Sequence, residues 1–193
     1  IYTGDNYFHI IEETQGINII EVDLNDYSID PALHNILRSD ILRYHLLYEQ
    51  GGVWSDFDVI WLRPMEHFRN IEYYGNTSIS EAVAIVSLIK ETEGGHSIGI
   101  MVHAKHDPYA LSLINLTNKV KPPYGHEVFG SIMISDKYPT LDSLVGFENL
   151  IGVKHETYYP YDIHPPNPTF HKLYLENDLS FITNNVIFSI LHQ

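Results

Sequence analysis

The sequence predicts an α/β fold. Short apolar runs of β type alternate with stretches of helical length, the pattern of a sheet connected through helices rather than of a bundle or sandwich. Helix punctuation recurs at matching places, with Asp-Pro pairs at Asp30-Pro31 and Asp107-Pro108 and a Gly-Gly stop at Gly51-Gly52. With 193 residues, 44% of them apolar and only 19% charged, the chain is long and apolar enough to form one domain with a substantial core.

Taken in order, Asn18 to Val22 is a short β-type run. Asp30-Pro31 opens the strongest helix, which runs to about Gln50 and stops at Gly51-Gly52. Val53-Trp54-Ser55 is a strand, followed by Asp56-Phe57-Asp58 and then by Val59 to Leu62, which ends at Pro64. Ala82 to Ile89 is nearly all apolar and is expected as a buried strand; Ile98 to His103 is another. Asp107-Pro108 caps a helix reaching about Lys119. Val128 to Ser135 fits helix or strand, Lys154 to Asp162 is Tyr-rich and extended, and His164 to Pro168 is a rigid loop. The chain opens at Ile1 and closes at Gln193 straight after a strand-like run, so segments beyond both ends are expected.

Composition removes several function classes. There is no cysteine, which excludes a disulfide scaffold, thiolate metal sites and a cysteine nucleophile, and leaves the compartment open. Acidic residues outnumber basic ones 25 to 11, a formal charge of −14 that disfavours nucleic-acid and anionic-membrane partners. No apolar run approaches the roughly 20 residues of a spanning helix.

The long helix carries an anomaly. It is apolar almost all round, yet Leu33, Ile36, Asp40, Arg43 and Leu47 share one stripe, so an acid and a base sit one turn apart among apolar neighbours. The pair is either a structural ion pair with a snorkelling Arg or a pair facing a polar ligand pocket. Asp56 and Asp58 are the second anomaly. On a regular strand they share one side while Phe57 points oppositely into the core. Two carboxylates at one mouth suit a hard divalent cation, which relieves their repulsion. An Asp-x-Asp by itself also fits a solvated turn, but this one interrupts a hydrophobic run, where carboxylates are costly unless something compensates their desolvation.

The stretch Arg38 to Pro64 contains Ser39-Asp40-x-x-Arg43, Leu47-Tyr48-x-x-Gly51-Gly52, the aromatic Trp54, Asp56-x-Asp58, and an apolar run ending at Pro64. Together these resemble the sugar-binding region of the DXD-containing glycosyltransferases. The resemblance implies the GT-A fold, a Rossmann-like mixed sheet flanked by helices with the Asp-x-Asp at a strand's carboxyl end, where ligands lie in open α/β sheets. It implies Mn²⁺ or Mg²⁺ as cofactor, a UDP- or GDP-sugar donor, and a glycan or other hydroxyl acceptor. By the same resemblance Asp58 ligates the metal, Asp56 holds ribose and metal, Asp40 accepts from donor-sugar hydroxyls, and Arg43 orients Asp40 or touches sugar or phosphate. Trp54 lines the base–ribose wall or is a core aromatic. The terminal Val186 to His192 resembles a late strand ending in a His-x-Trp tip and implies His192 as a further metal ligand, although the Trp is absent. No catalytic base is identified.

The remaining histidines are scattered; His45, His103 and His106 are expected as polar surface or core residues. Asn76-Thr77-Ser78 and Asn115-Leu116-Thr117 match the glycosylation pattern at a frequency chance explains. The expected activity is metal-dependent hexosyl transfer with retention of configuration. A nucleotide-sugar hydrolase and a silent sugar-nucleotide-binding module are the alternatives.

Overall fold

The computed structural model describes residues 20, 22–33, 35–57, 59–70, 73–74, 77–87, 90–91, 95–96, 98–117, 149–153 and 188–190. In chain order they form α1 (Asn35–Gln50), β1 (Gly52–Ser55), β2 (Val59–Trp61), β3 (Tyr73–Tyr74), β4 (Ala84–Ser87), β5 (Lys90–Glu91), β6 (Gly95–His96), β7 (Ile100–His103), α2 (Pro108–Thr117), β8 (Leu150–Val153) and β9 (Phe188–Ile190), with 3₁₀ turns at Leu24–Tyr27 and Met65–Asn70. The regions Val128 to Ser135, Lys154 to Asp162 and His164 to Pro168 lie outside the described residues.

Five strands form one mixed sheet in the order β1-β7-β4-β8-β3. β4 and β8 run parallel, and the other neighbours are antiparallel. β2 pairs with β9, and β5 with β6, as separate antiparallel ribbons. The α/β reading of the sequence thus holds as a mixed sheet with helices packed on it.

The register sorts side chains by face. Trp54 lies opposite Met101, and Ala84 opposite His103, so these four share one side of the sheet. There α1 and α2 close a core of Tyr44, Leu47, Ala84, Met101, Tyr109, Leu113 and Ile114. The other side buries Ile85, Ile100, Ile151 and Val153 beneath Val59, Met65 and Tyr73. The N-terminal half of α1 packs differently: Leu37, Ile41 and Leu42 contact Ile29 and the segment before it. Two partners on two sides explain why α1 is apolar almost all round. Ile36, placed on the buried stripe by spacing, is instead exposed.

The stop of α1 follows from its glycines. Gly51 adopts φ +68°, and a Cβ there would stand 2.6 Å from the Lys105 backbone nitrogen. Gly51 N–H closes the helix on the Leu47 carbonyl, and His106 N–H satisfies the Tyr48 carbonyl at 2.7 Å. At the other end the helix starts later than Asp30-Pro31 suggests. The Asp30 carboxylate accepts from Ala32 N–H and the Asp30 carbonyl from Leu33 N–H, a turn that these residues favour as much as a helix cap. Ile20 and Val22 do not form a strand; the chain turns at Asp23, whose side chain caps the first 3₁₀ turn. Asp107 caps α2 as expected, accepting from Tyr109 and Ala110 N–H.

Candidate functional site

α1 delivers Asp40 and Arg43 to the carboxyl end of β1. Spaced i,i+3, they form an ion pair with Arg43 Nη2 2.7 Å from Asp40 Oδ1, both side chains at least 90% buried. Burying such a pair is costly, and further hydrogen bonds offset part of that cost. Arg43 Nη1 donates to the Ile98 carbonyl at 2.5 Å, which pins the guanidinium to the entry of β7, while its Nε is buried without a hydrogen-bond partner.

β1 contributes the other half. Asp56 follows its last residue, and Asp56 N–H extends the ladder to the Gly99 carbonyl at 2.8 Å. By alternation Asp56 falls on the same face as Trp54, toward α1. Trp54 Nε1–H donates to Asp56 Oδ1 at 2.6 Å. Arg43 Nη2 lies 3.4 Å from that same oxygen. The guanidinium carbon sits 4.9 Å from the centre of the Trp54 ring, within cation–π range. One arginine thus faces two carboxylates and an indole, and its positive charge lies between Asp40 and Asp56. Asp56 is the exposed member, its side chain 33% accessible against 10% for Asp40.

After Asp56 the chain departs from a regular strand. β1 ends at Ser55, Phe57 lies in a turn, and Val59 N–H reaches the Asp56 carbonyl at 3.3 Å. Phe57 does not enter the core; it is 81% exposed. The chain must leave the main sheet here to pair β2 with β9, and the turn makes that step. Asp58 and His192 lie outside the described residues, so the structure brings together Asp40, Arg43, Trp54 and Asp56 of the six candidates. Among the described residues no group of three or more metal-ligating side chains converges. The chemistry of the donor set still fits a hard cation, because the accessible group is a carboxylate at a sheet edge.

Tyr44, next to Arg43, is fully buried. Burial pushes its hydroxyl well above the ordinary phenol range, with the Asp40 charge adding to the rise and Arg43 opposing it, so it stays protonated. Sequence reasoning missed the Ile98 carbonyl as the anchor of Arg43. A backbone acceptor 55 positions away leaves no residue-type signal. The Arg43–Trp54 stack was equally hidden, though an Arg and an aromatic on adjoining elements hint at it.

At the other end of β7, His103 Nδ1 meets Asp107 Oδ2 at 2.5 Å with both side chains sealed from solvent, and the imidazole stacks on Tyr109. His103 is thus a core histidine, as expected. His106 is exposed and His45 half-buried.

The family model for the glycosyltransferase sugar-binding region containing the DXD motif matches residues 8–79, which hold all four assembled side chains. Over that stretch the chain resembles the DXD glycosyltransferases. It is similar to the initiation-specific alpha-1,6-mannosyltransferase of Saccharomyces cerevisiae, 25% identical over 167 aligned residues that cover 74% of this chain. The match spans about a third of that enzyme's length, 34%. No solved structure gives a significant match. Among the described residues no helix is long and apolar enough to cross a membrane.

Proposed function

We propose that this chain is a metal-dependent, retaining glycosyltransferase of the GT-A type that moves a hexose from a UDP- or GDP-linked donor to a glycan or other hydroxyl acceptor. One observation carries the reading: Arg43 joins Asp40 on the helix to Asp56 at the carboxyl end of β1, where open α/β sheets bind ligands. In this reading Asp40 accepts hydrogen bonds from donor-sugar hydroxyls, and Arg43 holds it in place. Trp54 belongs to the same wall of the donor pocket. Asp56, Asp58 and His192 would hold Mn²⁺ or Mg²⁺, which supplies Lewis-acid neutralisation of a departing diphosphate. Arg43 beside Asp56 keeps an acidic mouth from repelling that diphosphate before it is seated. The family match and the yeast mannosyltransferase relative support transfer chemistry.

The test is release of UDP or GDP from a panel of sugar nucleotides with Mn²⁺, with and without glycan acceptors. Acceptor-dependent release is the expected result. Release without acceptor would favour a hydrolase, and tight binding without release a silent module. Asp58→Asn should reduce turnover below detection and abolish Mn²⁺-dependent donor binding, while the metal-free melting temperature stays nearly unchanged. Wild-type turnover in that variant contradicts the proposal.

A further inference from the structure

We infer that Trp54 is a positioning residue that fixes the carboxylate of Asp56, rather than a stacking surface for the donor base. The inference rests on the reading of Asp56 as the donor-facing carboxylate.

Asp56 begins a turn at the end of a strand and is one-third exposed, a setting in which an aspartate samples several rotamers. Trp54 stands two positions earlier on the same face, and its indole N–H donates to Oδ1 at 2.6 Å. An indole only donates, so the carboxylate oxygen is the acceptor and the contact fixes where that oxygen points. The donor itself is immobilised. The Trp54 ring packs against the Tyr44–Met101 core and lies beneath the Arg43 guanidinium at 4.9 Å. Arg43 in turn is pinned by the Ile98 carbonyl and by Asp40. The restraint runs from the entry of β7 through Arg43 and Trp54 to one oxygen of Asp56. The broad surface of the ring is engaged by the core and the guanidinium, and its polar edge is the part turned to the site. A site held this way pays less conformational entropy when a ligand docks.

Two measurements test this. The chain has two tryptophans, so its ¹H–¹⁵N spectrum carries two indole signals, assigned with Trp61→Phe. In the ligand-free protein, Asp56→Asn should shift the Trp54 indole proton upfield and leave that of Trp61 in place. Trp54→Phe keeps a ring beneath Arg43 and removes the N–H. Calorimetry with Mn²⁺ plus UDP, and with Mn²⁺ plus GDP, should show about a tenfold weaker Kd than wild type for whichever nucleotide wild type binds. Unfolding of Trp54→Phe should remain cooperative. An indole signal unmoved by Asp56→Asn overturns the inference, as does a Trp54→Phe affinity within twofold of wild type. Wild-type protein that binds neither nucleotide defeats the donor reading instead, and the ligand-free shift then decides the Trp54–Asp56 coupling by itself.

Discussion

Two buried acid–base pairs stand at opposite ends of β7. At one end Asp40 and Arg43 pair across one helical turn beside Trp54; at the other His103 and Asp107 pair across four residues beside Tyr109. Each has an aromatic ring against its cation or imidazole, and each lies in the layer between sheet and helices. They differ in where their hydrogen-bonding capacity goes. Asp107 spends its oxygens on His103 and on two amides of α2, all inside the protein. Arg43 reaches past Asp40 to a third partner, Asp56, and that partner meets solvent. A buried ion pair by itself says little about function. The first pair differs in extending through Arg43 to an accessible carboxylate, which is why the donor site is proposed there.

The comparison can be broken by mutation. Asp107→Ala should have the largest effect, about 3–5 kcal/mol of stability by denaturant unfolding, because it strands a sealed imidazole and removes a helix cap together. The folded fraction of that variant should keep the wild-type donor KM. Arg43→Met should differ in function: a stability loss of about 3–5 kcal/mol, since it leaves the buried Asp40 without its cation, joined by at least a tenfold fall in kcat/KM. If Arg43→Met lost only stability, the two clusters would be equivalent and the first would be a structural ion pair.

What could be read in the sequence divides along the same line. Local signals carried over: Gly51 as a left-handed stop and Asp107 as a cap are set by residues within a few positions of each other. The Ser-Asp-x-x-Arg and Asp-x-Asp spacings named Asp40, Arg43 and Asp56, and the structure assembles them. Contacts across the chain were not legible. The sheet order depends on crossovers, and the Ile98 carbonyl has no side-chain signature. Asp30-Pro31 misled because an Asp side chain that bonds an amide two residues on serves a turn as readily as a helix start. The His103–Asp107 pair had a local signal that went unread, an imidazole four residues before a helix cap.

A smaller effect comes from His45, on α1 away from both clusters. Its ring meets Tyr27 at a centroid distance of 5.3 Å, and Glu49 lies one turn on. Burial lowers its pKa below the ordinary 6.5, outweighing the upward pull of Glu49. A histidine depressed on folding binds fewer protons in the native state than in the unfolded chain. Its contribution is therefore full above pH 6.5 and is lost as pH falls from there through the folded value. His45→Asn should remove that increment. The stability gap between wild type and variant should widen as pH rises from about 5 to 7. A gap that narrows over that interval would mean that Glu49, not burial, governs the ring.

The smallest expected effect is the most informative about the Asp-x-Asp segment. Strand alternation puts Phe57 in the core, with Asp56 and Asp58 side by side on the opposite face. The turn at Phe57 puts the ring in solvent, 81% exposed. These alternatives differ widely in energy. Truncating a core phenylalanine costs about 3–5 kcal/mol, whereas a surface substitution stays within about 0.5 kcal/mol. Phe57→Ser should therefore leave the unfolding midpoint almost unchanged. A loss of several kcal/mol would instead put the ring in the core, as strand alternation has it. A neutral result leaves Phe57 in solvent and makes Asp56 the last residue on the ladder to β7, its backbone held by Gly99 and its carboxylate by Trp54 and Arg43.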